Sequence, residues 1–194
     1  MSQQRIEIVQ EFPFPVSKLF AFLSVHENLE RIFAPAKIRT VKQGVEQPCG
    51  LGSVRELRIP LSPSFDETVT AFKENELIEY RITRGSPLKN HHGVMRFYPL
   101  GEGSRLHYTI VFEGKLPLLA SVIRPALEQS IRKGLRGLRR VGAPGRARGA
   151  RPPERRRRHA ARQDVALGLA GGLLLELGAP VLLRFAQRMR RRQP

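Results

Sequence analysis

The order of hydrophobic patterns over residues 1–140 predicts an α+β domain: a curved antiparallel sheet wrapped around one long C-terminal helix, with two short helices after the first strand. Three observations carry this. Stretches that alternate apolar and polar residues follow one another through most of the segment, as half-buried strands do. The loops between them are short, which favours antiparallel pairing. The one helical stripe long enough to cover a face of such a sheet comes last, from Pro117 to Arg140.

The first strand is Arg5–Glu11 (RIEIVQE), stopped by Pro13 and Pro15. Val16, Leu19, Phe20 and Leu23 then take the spacing of a short amphipathic helix. A second short helix is expected over Glu27–Phe33, burying Leu29, Ile32 and Phe33. Ala34-Pro35 ends it, because a residue before proline is pushed out of helical geometry. Strands follow at Lys37–Lys42, Val54–Pro60, Phe65–Lys73, Leu77–Thr83, Gly93–Leu100 and Arg105–Glu113, bounded by Pro, Gly, Asn or Ser. The last alternates most clearly, with Leu106, Tyr108, Ile110 and Phe112 on one face. In the terminal helix Leu119, Val122, Ile123, Ala126, Leu127, Ile131, Leu135 and Leu138 form the apolar stripe. Pro125 should kink it by removing one hydrogen bond. Gly134 and Gly137 leave room for a close neighbour, at a cost in helix stability. A sheet gripping a single helix leaves a concave space, the usual setting for a small apolar ligand.

The net charge of +17 divides unevenly along the chain. Residues 1–140 carry 21 Lys+Arg against 14 Asp+Glu, whereas residues 141–194 carry 13 against 3. The domain is thus only moderately basic, and it lacks the interleaved aromatic and basic residues that stack bases, so no nucleic-acid partner is expected. The single cysteine, Cys49, excludes an internal disulfide and a cysteine metal cage. No cofactor and no metal are expected. The opening residues MSQQRIEIVQEF hold no apolar signal core, which makes a cytoplasmic protein the expectation.

Several local patterns carry a resemblance to a known group. They are VSKLFAFL after a proline-bearing strand end, Gly50-Leu51-Gly52-Ser53-Val54-Arg55 turning into a strand, FDETVTAF, ELIEYRITRGSPLKNHHGVMRF, and RLHYTIVFEGKLP running into the last helix. Over about residues 3–140 the sequence resembles the SRPBCC superfamily, which includes START lipid-transfer domains, Bet v 1-like proteins and polyketide cyclase/dehydrase-like proteins. It looks most like the last group. The resemblance implies the helix-grip fold and an inner sheet face turned to a hydrophobic cavity. It does not decide activity, since the superfamily houses carriers, receptors and cyclases.

With that orientation, Tyr108, Ile110 and Phe112 form one inward row and Ile78, Tyr80 and Ile82 another. Tyr80 and Tyr108 stand out because a buried hydroxyl needs a partner. Arg55 and Glu67 lie on adjacent strands. Inward, they are a costly buried pair of the kind found at functional sites; outward, they are a surface pair worth little. The outward reading is preferred for Arg55, and Glu67 stays open between the two. Asn90-His91-His92 sits at a strand mouth after the loop Ser86-Pro87-Leu88-Lys89, and the segment Gly85–Asn90 together with Pro125 is the expected gate for entry. Adjacent strand histidines face opposite ways, so a shared metal ion is disfavoured. The candidate ligand contacts are therefore Arg55, Glu67, Ile78, Tyr80, Asn90, Tyr108, Ile110, Phe112, Ile123 and Leu127. Glu67, His91 and His92 are the only candidates for proton transfer.

From Val141 the composition changes to Arg, Ala, Gly, Leu and Pro, with no Lys, Ser, Thr, Asn, Ile, Tyr or Cys. Residues 141–164 read as a basic disordered linker. Residues 165–194 are an apolar Gly/Leu-rich segment with an Arg-rich end. Val165–Leu183 reaches the minimum length for a membrane helix, but Glu176, four glycines and Pro180 weaken that reading. An interfacial anchor over 165–192 is the second reading. A third, preferred, is that the segment is not a selected structure, because its residues are those of GC-rich codons.

The leading function is binding or transport of a small hydrophobic or aromatic ligand, lipid-like or polyketide-like, in an internal cavity. The alternative is a polyketide cyclase or dehydratase using a cavity His or Glu, so the residues leave open whether the protein is an enzyme. The third is a membrane-tethered interaction protein acting through its tail. Oligomeric state is not legible.

Overall fold

The computed structural model describes residues 3–142 other than Leu61 and Pro117. Seven strands form one sheet: β1 (Gln4–Phe12), β2 (Lys37–Lys42), β3 (Val54–Arg58), β4 (Phe65–Lys73), β5 (Leu77–Arg84), β6 (Leu88–Leu100) and β7 (Gly103–Gly114). Every neighbouring pair is antiparallel, in the order β1-β7-β6-β5-β4-β3-β2. Helix α1 (Val16–Leu23) and a 3-10 helix (His26–Arg31) separate β1 from β2, and the long helix α2 (Leu119–Val141) follows β7. This is the helix-grip arrangement: one curved sheet, one long helix, two short ones.

Period-two alternation explains how the sheet hides one face. On β7, Leu106, Tyr108, Ile110 and Phe112 are buried, and on β1 so are Ile6, Ile8 and Phe12. Against these strands α2 presents Ala120, Ile131, Leu135 and Leu138. Helix α1 closes an end of the core with Leu19, Phe20, Phe22 and Leu23. Phe20 meets the rings of Phe72 and Phe97 edge-on at 5.2 and 5.1 Å. Burying an aromatic or aliphatic side chain of this size contributes roughly 1.5–3 kcal/mol, so this core is ample for the domain.

Three expectations need correction. β6 begins at Leu88, five residues before the expected Gly93, because Leu88 and Lys89 pair with Gly114 and Glu113. Leu88 and Lys89 are therefore held by ladder pairing, and Asn90, with φ 52°, lies in the bulge that follows, so the loop itself is shorter than Gly85–Asn90. β3 stops at Arg58, two residues short of Pro60. The second short helix is a 3-10 helix ending at Arg31, not a helix reaching Phe33. The linker and apolar segment expected beyond residue 142 lie outside the described residues. Among the described residues no helix is long and apolar enough to cross a membrane.

The two glycines of α2 differ. A Cβ on Gly134 would stand 2.6 Å from Ile32 Cα and 2.7 Å from the Arg31 carbonyl oxygen, so this glycine lets α2 rest on the 3-10 helix. A Cβ on Gly137 meets nothing within 4 Å, contrary to the expected close neighbour. Gly134→Ala should therefore destabilise by about 1–3 kcal/mol through overpacking. Gly137→Ala should stabilise by roughly 0.5–1 kcal/mol through helix propensity. Urea denaturation of the two variants tests this, and equal shifts would refute the contact.

Candidate functional site

One polar cluster on the inner face of the sheet centres on Arg55 and Glu67. Arg55 on β3 lies opposite Glu67 on β4, and the register alone brings their side chains together. Arg55 Nε donates to Glu67 Oε2 at 2.8 Å, and Arg55 Nη2 stands 2.7 Å from the same oxygen. Both residues are shut off from water, at 2% and 5% exposure. The guanidinium also covers the Tyr80 ring at 4.4 Å. Tyr80, on β5, reaches across the sheet so that its hydroxyl hydrogen-bonds that of Tyr108 on β7. His91 on β6 tilts against Tyr80 with ring centroids 5.5 Å apart. Arginine, glutamate, two tyrosines and a histidine thus form one buried polar spine across five consecutive strands.

Backbone detail makes the spine fit. Gly93 faces Tyr80 across the β5–β6 ladder, and a Cβ there would overlap the Tyr80 ring. Only hydrogen fits beneath that ring. The β5–β6 ladder ends at this pair, and beyond it the Ile82 N–H donates to His91 Nδ1 at 3.3 Å. An Nδ1 that accepts a hydrogen bond carries no proton, so neutral His91 holds its proton on Nε2. On β4 the adjacent Asp66 and Glu67 point to opposite faces and so take different partners: Asp66 pairs with Arg84 and Glu67 with Arg55.

Burial sets the electrostatics. It would lower the Arg55 guanidinium, but the Glu67 carboxylate, aided by the two tyrosines, outweighs it and holds Arg55 above its ordinary value. Burial pushes the Tyr80 hydroxyl far up, reinforced by Tyr108 and Glu67, and pushes Tyr108 up as well. Burial also lowers His91, with Glu67 opposing and Arg55 assisting. At neutral pH the spine therefore holds a guanidinium against Glu67, two neutral phenols and a neutral imidazole. Arg55 Nη2 remains a buried donor without an aligned acceptor: it lies close to Glu67 Oε2, yet makes no well-directed hydrogen bond among the described residues.

The other expected residues divide. Ile78, Ile110 and Phe112 line the same inner face, and Ile123 and Leu127 pack half-buried against the core. The preferred outward placement of Arg55 is overturned, since Arg55 points inward beside Leu57. Asn90 is exposed, and its amide donates to Glu113 at 3.0 Å, so it is no cavity wall. His92 stands on the opposite face and pairs with Glu79 at 2.9 Å, which leaves His91 as the inward histidine. Sequence reasoning missed His26, Ser53 and Gly93. His26 is buried between the hydroxyls of Thr40 and Ser53, and burial followed by the nearby Arg55 charge lowers it to about 4. Gly93 was detectable, because a glycine inside a strand pattern signals close approach. Cys49 is free and half-buried, 3.8 Å from the Thr40 hydroxyl. Among the described residues no group of three His, Cys, Asp or Glu is placed to hold a metal. A separate open cleft of about 530 Å³ lies between the ends of β1 and α2 and the β6–β7 turn, and none of its lining residues belongs to the spine.

Two predictions follow from burial. Glu67→Gln leaves the Arg55 charge buried without its partner and should cost about 3–5 kcal/mol, whereas Arg55→Met with Glu67→Leu should cost far less. Denaturation midpoints of both variants decide this; equal losses would show that the pair is not buried. His26 is neutral in the fold, while its unfolded form takes up a proton near 6.5, so the unfolded state binds more protons between these values. Stability should be intact above about 6.5 and fall as pH drops toward about 4. His26→Gln should flatten that part of the stability–pH curve.

Residues 3–143 match the family described as polyketide cyclase/dehydrase and lipid transport. A search of curated proteins returns no match. Among solved structures, a START superfamily protein from Mycobacterium smegmatis aligns with TM-score 0.60 and 16% identity, covering 71% of this chain and 97% of that one. The Zhui aromatase/cyclase from Streptomyces sp. R1128 aligns with TM-score 0.57 and 19% identity, over 74% of this chain and 99% of that one. Ara h 8.0201 gives TM-score 0.54 and 20% identity, over 73% and 100%. At these identities the three structures bear on the fold alone, and they share the seven-stranded, helix-gripping arrangement described above. The family match spans most of the chain, and the chain belongs to the polyketide cyclase/dehydrase and lipid transport family.

Proposed function

We propose that the domain binds a small, largely apolar molecule carrying an oxygen acceptor, held between the inner sheet face and α2. The observation that carries this is the buried Arg55 Nη2 without an aligned acceptor. A buried donor left in that state costs about 1–3 kcal/mol, which a ligand oxygen would recover. The tyrosine pair supplies a second donor. Two hydroxyls sharing one hydrogen bond leave the accepting tyrosine's own O–H free. Around these donors lie Ile78, Ile110 and Phe112, which suit an apolar or aromatic skeleton. A lipid-like or polyketide-like carbonyl compound has both parts, in keeping with the family's description.

Because Arg55 Nη2 has no access to solvent, ligand entry requires elements to part. The seam between β5 and β6 beyond Tyr80 and Gly93 is a place where this can happen, since there the Ile82 N–H is held by the His91 side chain instead of a ladder bond. A second reading, a cyclase or dehydratase, draws on the same histidine. His91 is inward and neutral with its proton on Nε2, next to the tyrosine pair, where the Nε2–H can polarise a ligand carbonyl by hydrogen bonding.

The test compares 2-acetylnaphthalene with its hydrocarbon counterpart 2-ethylnaphthalene by calorimetry. A hydrogen bond to a charged donor adds about 1.5–3 kcal/mol, so the ketone should bind at least tenfold tighter. The Arg55→Met, Glu67→Leu variant should lose that preference while remaining folded. Equal affinity for the two compounds in the unaltered protein would end the proposal.

A further inference from the structure

We propose that the open cleft at the C-terminal end of α2 is a second binding site, for a small amphipathic anion: a phosphate or carboxylate head on an apolar stem. Phe12, Pro13 and Leu100 form its apolar side, and Arg136, Arg139 and Arg140 its basic side. The arginines follow i, i+3, i+4 spacing and so occupy one face of the helix. All three are exposed, and none makes an ion pair among the described residues. The carboxylate that lines the cleft, Glu11, is already held by Arg105 at 2.8 and 3.2 Å. The helix C-terminus itself carries about half a negative charge, which one arginine offsets. Three leave a surplus of positive charge facing an apolar wall.

The volume of about 530 Å³ falls in the range of small-molecule sites. Charge argues against the chain's own remainder as occupant, because residues 143–194 carry 13 arginines against 3 acidic residues. A second copy is disfavoured on the same ground, since residues 1–140 also carry more Lys+Arg than Asp+Glu. An anion with an apolar stem complements both sides of the cleft. The cleft shares no lining residue with the Arg55 spine, so this site stands apart from the ligand reading above.

The probe is monomeric decyl phosphate, titrated calorimetrically into the full-length chain, with 1-decanol as the neutral counterpart. Decyl phosphate should bind more tightly than decanol, and the difference should shrink with added salt as exposed charges are screened. Arg136→Gln, Arg139→Gln and Arg140→Gln together should weaken decyl phosphate on the order of tenfold or more and leave decanol unchanged. Leu100→Asp, a second variant at an exposed position, should act in the same direction by placing a carboxylate in the cleft. The Arg55→Met, Glu67→Leu variant should keep decyl phosphate binding. The proposal is overturned if decyl phosphate binds no better than decanol, or if the triple arginine variant binds it like the unaltered protein. Flotation with phosphatidylcholine vesicles containing phosphatidic acid identifies the source of the head. Weaker flotation of the triple variant assigns it to a membrane lipid, and unchanged flotation to a free anion.

Discussion

A guanidinium cut off from water is tolerable only with a carboxylate at contact distance, and the Arg55–Glu67 pair imposes that requirement on the sheet around it. Their opposition depends on the β3–β4 register, in which Val54 faces Thr68 and Leu57 faces Phe65. A slip of one residue would turn every side chain of β3 to the other face, exposing Leu57 and Arg55 and leaving Glu67 on the inner face without its cation. The pair thus penalises misregistry as well as filling space. Its desolvation cost is large, so the pair adds little net stability over an apolar pair of the same shape.

The pair also organises its neighbours. Arg55 lies over Tyr80, Tyr80 lies over Gly93, and the Tyr80 hydroxyl meets Tyr108, so the pair is linked to residues on three further strands. In the low dielectric of the interior each of these interactions is stronger than it would be in water, and each unmet hydrogen bond is costlier. A surplus of donors in such a place favours a ligand that brings oxygen. The rim cleft follows opposite physics. Its arginines are solvated and salt-sensitive, and affinity there depends on net charge and an apolar wall more than on directed hydrogen bonds.

Element order, strand pairing and the apolar rows on β5 and β7 were legible because one buried face enforces period two, and the terminal stripe enforced the helix. Parts of the polar spine were also legible. Tyr80 and Tyr108 lie on those apolar rows. Arg55 was misplaced by weighing its charge above its pattern: Leu57, two residues on, must face inward, and Arg55 shares its face. Likewise His91, Gly93, Met95 and Phe97 form one buried row, which carries β6 back past Gly93. Glu67 likewise shares its face with buried Val69, two residues on, and the irregularity on β4 comes only after Val69.

By itself, then, the sequence determined the fold, the inward rows and the domain's modest basicity, since burial periodicity and charge are properties of local chain order. Tertiary structure decided which polar side chains meet. It placed Arg55 against Glu67, separated His91 from His92 and Asn90, and set three arginines over Phe12 and Leu100. Those outcomes depend on strand register, bulges and the docking of α2, all long-range packing choices that single-strand patterns do not encode.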